Sequence, residues 1–247
     1  MPRANRYFLP GHVWHITHRC HKQEFLLKFA KDRRAWRCWL FQARRRYGLC
    51  ILNYIVTSNH IHLLVKDRGH GEIAHSMQLI AGRVAQQYNR RKSRKGAFWE
   101  DRYHATAVQA DDHLVRCMVY IDMNMVRAGA VSHPSDWPDS GYHEIQTMPQ
   151  RYRCIDTPAL TALLGLRNTE SLRTGMRERI DQALAENSLQ HEPAWTESIA
   201  VGQQEYLETI EHALKASHPG RKIGNDGNCL HLHEIEGAYT VQISPEK

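Results

Sequence analysis

The 247-residue chain contains no long hydrophobic run. No stretch reaches the roughly 18 apolar residues that a membrane-crossing helix requires, so a spanning protein is excluded. Six cysteines, Cys20, Cys38, Cys50, Cys117, Cys154 and Cys229, lie far apart and include no CxxC pair. Neither a paired-cysteine metal ribbon nor a redox motif is therefore written into the chain. The opening MPRANRYFLPGHVW lacks the apolar core of a secretory signal, and a cytoplasmic protein with reduced thiols is the expectation. Internal repeats and low-complexity tracts are absent as well. Full disorder is excluded in turn, because 42% of the residues are hydrophobic and the mean hydropathy is only −0.59.

Charge is plentiful and unevenly placed. The chain carries 33 Lys and Arg against 26 Asp and Glu, a net +7. Residues 1–150 hold 23 basic and 12 acidic side chains, a balance of +11, while residues 151–247 hold 10 and 14, a balance of −4. A basic front with a mildly acidic back describes a polyanion-binding body joined to an accessory segment. The basic residues gather at Arg3 and Arg6, at Arg44, Arg45 and Arg46, and at Arg90, Arg91, Lys92, Arg94 and Lys95. Arg102, Arg116 and Arg127 follow. Charge runs usually mark solvated faces. Interleaved with Trp14, Trp36, Trp39, Tyr88, Phe98 and Trp99, these clusters point instead to a nucleic-acid groove with base stacking, in a nucleoid-associated protein. They identify a polyanion without saying which one.

HVWHITHR alternates as a strand, and residues 32–47 then turn helical, with Trp36, Trp39, Leu40, Ala43 and Tyr47 on one stripe. LCILNYIVT and HIHLLVK read as a hairpin joined by Ser58-Asn59, followed by a helix over 71–92, the strand RYHATAV and a helix starting near Asp111-Asp112. The order βαββαβα predicts an α+β fold, a small mainly antiparallel sheet flanked by helices. Residues 157–187 and 196–216 read as short helices, a helical C-terminal appendage with Gly165 in a turn. The divisions expected are 1–148 as the main domain, 149–216 as a small helical accessory region and 217–247 as a poorly ordered tail or late hairpin.

Two constellations offer chemistry. His60 and His62 share one face of their strand, with Ile61 behind them, and two converging imidazoles can hold a divalent cation if a third ligand arrives. In a chain with 17 histidines one such pair can equally be surface decoration. His231-Leu232-His233 repeats the pattern in a glycine-rich acidic stretch and reads as a solvated segment. In DDHLVRCMVYIDMNMVRAG, Leu114, Met118, Ile121 and Met125 form a core ridge, while Arg116, Tyr120, Asn124 and Arg127 line another face. A tyrosine there can attack phosphorus, with Asn124 as a third metal ligand and arginines on phosphate oxygens. A helical tyrosine can also simply pack its ring.

Taken in order, NYIVTSNHIHLLVK, GAFWEDRYHATAV, YIDMNMVRAGAV and DWPDSGY resemble the HUH single-tyrosine (IS200-like) transposases, and among them the REP-associated tyrosine transposases of bacterial chromosomes. The resemblance covers about residues 3–145. Members typically read NHxH in the strand, Trp or Phe before xxRY, and YIxxNPVRAG in the helix; Met125 stands where the proline is usual, which implies altered helix geometry. The resemblance implies a catalytic domain in which His60, His62 and Asn124 hold Mg²⁺ or Mn²⁺ and Tyr120 is the nucleophile. It further implies cleavage and strand transfer of single-stranded DNA at REP-like hairpins through a 5′-phosphotyrosine, by a monomer or homodimer with no membrane partner. The alternative is a non-catalytic DNA-hairpin-binding regulator derived from a transposase. A hydrolytic nuclease using the same histidines is a further rival.

Overall fold

The computed structural model describes residues 9–187, 190–214, 221–225 and 229–234. Its first seven long elements follow the expected order: β1 (Val13–Arg19), α1 (Ala30–Tyr47), β2 (Cys50–Val56), β3 (His60–Lys66), α2 (Glu72–Lys92), β4 (His104–Val108) and α3 (Asp112–Asp122). Local chemistry sets the boundaries. Gly48, at φ 70°, ends α1 in the left-handed conformation that glycine adopts freely. Asp111 caps α3 by accepting from the His113 backbone N–H. A short turn α4 (Asn124–Arg127) continues α3 past Met123.

The sheet has the order β2-β3-β1-β4 in its front half, antiparallel throughout. Strand β1 lies between β3 and β4, and its alternation sends Trp14, Ile16 and His18 to one layer and His15, Thr17 and Arg19 to the other. The first layer is α1 and α2, running antiparallel: Arg91 pairs with Asp32 at one end and the Tyr47 and His75 rings stack at the other. Trp36 is fully buried there, on the side of Tyr54. The opposite face carries α3. Leu114, Met118, Ile121 and Met125, the ridge expected from spacing, are all buried.

The closing DWPDSGY fastens β2 to α1. Trp137 Nε1 donates to the Val56 carbonyl at 2.9 Å, and the Val56 N–H donates to the Asp139 carbonyl at 2.9 Å. The buried Asp139 carboxylate accepts from Arg33 Nε at 2.6 Å and from Arg37 at 3.2 Å. Gly141 begins α5 (Gly141–Thr147) against β2, where a Cβ would collide with Asn53 Oδ1 and come within 3.1 Å of the Tyr54 nitrogen.

The C-terminal region is helical, with α6 (Thr157–Leu163), α7 (Thr169–Ala185), α8 (Ala194–Glu197) and α9 (Gln204–Leu214). Gly165, at φ 62°, makes the turn between α6 and α7. This region also extends the sheet. β5 (Ala200–Val201) pairs in parallel with β4, and the hairpin β6 (Arg221–Asn225) and β7 (Leu230–Glu234) follows, completing the order β2-β3-β1-β4-β5-β7-β6. The expectation that His231-Leu232-His233 is a solvated segment is corrected here. Its alternation is that of a half-buried strand, with Leu232 fully buried and the two imidazoles on the other face against Gly224. Adding strands to β4 also covers an edge that would otherwise expose unpaired backbone groups.

Candidate active site

His60 and His62 open β3 and point from the same sheet face, ring centroids 4.9 Å apart, with Ile61 fully buried behind them. Above them α3 sets the Tyr120 ring 5.9 Å from His62 and 6.1 Å from His15. One helical turn on, Asn124 Nδ2 donates to His62 Nε2 at 3.0 Å. Residues from β3 and α3–α4, 60 positions apart in sequence, thus converge at one end of the sheet. The Arg127 guanidinium lies 4.0 Å from the Tyr120 ring centroid, and its Nη2 donates to the Tyr120 carbonyl at 2.7 Å. Arg116, on the same strip, turns to the C-terminal region: it pairs with Glu192 at 3.5 Å and lies over the Trp195 ring.

Burial and cationic neighbours set the protonation states. Desolvation first, then Arg19 and Arg127, lower the His60 pKa to about 4. His62 falls well below its ordinary value through burial, then through the neighbouring His60 and His15 and the arginines. Both imidazoles are neutral near pH 7. Tyr120 is pushed up by desolvation, an effect Arg127 opposes. Only 4% of Tyr120 is exposed, because Trp195 and His191 of the C-terminal region border its ring.

The histidines suit a cation. Asn59 Oδ1 lies 2.7 Å from His60 Nδ1 and can only accept, so that nitrogen carries the hydrogen and Nε2 keeps its lone pair. Among the described residues no group of three or more His, Cys, Asp or Glu forms a metal cluster. The histidine pair therefore needs a ligand of another type, and the adjacent Asn124 carboxamide, whose oxygen suits a hard divalent cation, supplies one.

The basic residues divide by location. Arg90, Arg91, Lys92, Arg94 and Lys95 lie at the C-terminal end of α2, beside the chain leading to Trp99, which bridges Cys20 next to Arg19. Arg102 is exposed near that end, where His60 also lies. Arg44, Arg45 and Arg46 occupy the other end of the α1–α2 pair, about 20 Å away by helical rise. Arg3 and Arg6 lie outside the described residues. Sequence reading missed Arg19, exposed and opposite His60 in the β1–β3 register, whose positive charge acts on His60, His62 and Tyr120. Its position in an alternating strand was legible; its neighbours were not. Asn59, legible as a turn residue and as the first position of NHxH, likewise carried no role in the sequence.

Residues 11–124 match the family model described as "Transposase IS200 like", a span that holds both histidines, the tyrosine and the carboxamide. This segment, slightly under half of the chain, is similar to the IS200-like transposases. Among solved structures, the chain is similar to a REP-associated tyrosine transposase bound to a REP hairpin. The TM-score is 0.51 and the identity 20%, over 62% of this chain and 90% of that one, a likeness of fold. A Deinococcus radiodurans protein assigned as a transposase aligns with a TM-score of 0.33 and 14% identity, over 42% of this chain and 83% of that one. No curated protein matches the chain by sequence. No helix among the described residues is long and apolar enough to cross a membrane.

Proposed function

We propose that the protein cleaves and rejoins single-stranded DNA at hairpin-forming, REP-like sequences through a 5′-phosphotyrosine intermediate. The observation that carries this reading is the convergence of His60, His62, Asn124 and Tyr120 at one end of the sheet. His60 Nε2, His62 Nε2 and the Asn124 carboxamide oxygen would hold Mg²⁺ or Mn²⁺. Bound there, the cation supplies charge stabilisation and polarisation at the scissile phosphate. The Tyr120 hydroxyl attacks phosphorus, the bond from phosphorus to the 3′-oxygen breaks, and the proton lost by the phenol is balanced by the 3′-hydroxyl released. A phenol of pKa near 10 serves both as nucleophile and, in the reverse step, as leaving group. Arg127, held against Tyr120, steadies charge on the phosphate oxygens and favours the phenolate. The hairpin substrate draws support from the similar protein that was solved bound to a REP hairpin. Arg90, Arg91, Lys92, Arg94, Lys95, Arg102 and Arg19 would hold its backbone near the site, while Arg44–Arg46 would meet only DNA extending along α1.

The test is a denaturing gel with labelled hairpin DNA and Mn²⁺. A covalent protein–DNA adduct forms with the wild type and is absent with Tyr120→Phe and in EDTA. Cleavage without any adduct indicates a hydrolytic nuclease instead. One observation favours the second reading, a non-catalytic hairpin-binding regulator: Tyr120 is 4% exposed beneath the C-terminal region. That reading requires hairpin binding without cleavage, undiminished by EDTA or Tyr120→Phe.

A further inference from the structure

Beneath the site lies a polar group that belongs to none of the motifs. His15 is fully buried in the middle of β1. Its Nε2 is 2.9 Å from His62 Nδ1, and its Nδ1 is 2.8 Å from the Trp195 carbonyl, 180 residues away in sequence. A carbonyl oxygen only accepts, so His15 Nδ1 carries a hydrogen. Its other nitrogen, Nε2, faces His62 Nδ1 and is left to accept from it. At the far side of His62, Asn124 Nδ2 can only donate, and it faces His62 Nε2 at 3.0 Å. The two ends of the chain thus impose the same direction: Asn124 to His62, His62 to His15, His15 to the Trp195 carbonyl.

We propose that His15 and the Trp195 carbonyl are positioning groups that lock His62 in its Nδ1–H tautomer, presenting the Nε2 lone pair to a divalent cation. The C-terminal region thereby becomes part of the metal centre, because it supplies the terminal acceptor. The purpose of this lock rests on the metal-assisted reading above. Partners that fix a ligand histidine's tautomer and orientation characteristically change metal affinity when removed.

The first measurement is the long-range ¹H–¹⁵N correlation spectrum of histidine side chains in full-length, metal-free protein. His15 and His62 are expected as Nδ1–H tautomers, each with an unprotonated Nε2. An Nε2–H tautomer or an imidazolium at His62 overturns the proposal. The second is Mn²⁺ binding by calorimetry, without DNA. His15→Phe weakens binding about 10- to 100-fold, and His15→Gln, whose oxygen can accept from His62 while its amide donates to Trp195, restores it to within about threefold. Equal affinity in wild type and His15→Phe also overturns it. If His15→Phe does not fold, the wild-type spectrum decides alone. Neither readout involves DNA cleavage, so a missing adduct would sink the phosphotyrosine reading and leave the tautomer lock standing.

Discussion

Around Tyr120 a few side chains divide the electrostatic work. Desolvation opposes ionisation of the phenol, and Arg127, stacked on its ring, offsets part of that opposition. Arg127→Ala is expected to slow adduct formation about 100-fold while hairpin affinity changes little, as for loss of one donor to a developing anion; single-turnover kinetics beside a binding isotherm check it. Asp122, on the same helix, faces the other way, about 200° round from Asn124. It is fully buried against Asn53, and desolvation raises its pKa to about 7, an effect the Asn53 hydrogen bond opposes. A raised folded-state value favours folding below the unfolded pKa near 4, and that advantage is lost as pH rises through 7. Asp122→Asn is therefore expected to stabilise the protein by up to about 4 kcal/mol at pH 8 and to change little at pH 4, read from urea unfolding at both.

The elements act through their ends. α1 and α2 are antiparallel, so the two basic clusters at their C-termini point to opposite ends of the molecule. With a short hairpin substrate, Arg90→Ala with Lys95→Ala should flatten the plot of log affinity against log salt by about one for each phosphate no longer neutralised, while Arg45→Ala with Arg46→Ala leaves its slope unchanged. α5 begins on Gly141, where the backbone passes too close to β2 for any side chain. Gly141→Ala is expected to cost about 2 kcal/mol or more, from overpacking against backbone that cannot retreat, measured as a lowered denaturation midpoint. Helix period, strand alternation and capping residues are local, which is why βαββαβα was legible beforehand. The two-residue β5 is held by its partners, and nothing in Ala200-Val201 alone announces a strand.

At the scale of the molecule, one sheet joins the basic front to the acidic back. Trp195 is fully buried, as is Leu232 in β7. Trp195→Ala is expected to destabilise the protein by about 3–5 kcal/mol, the range for truncating a buried large aromatic. Because β4 and β5 are hydrogen-bonded, far-UV and near-UV circular dichroism should report one coincident unfolding transition. Two separated transitions would show that the back half folds as its own unit. The charge division thus follows position along the sheet and does not mark a structural boundary at β4.

What the sequence by itself determined is whatever short-range periodicity encodes. That includes the helix–strand order, the pairing of His60 with His62 across one strand face, and the spacing that stacks Asn124 one turn beyond Tyr120. The same reading left each pair open to a bland interpretation. The resemblance implied that the two pairs share a site, but only the tertiary structure shows the contacts that join them, separates the basic clusters, places Arg19 beside His60, and seats Trp195 against Tyr120 with its carbonyl on His15. Those relations join residues far apart in the chain, and they depend on strand register and sheet order, which long-range burial selects and no local pattern specifies.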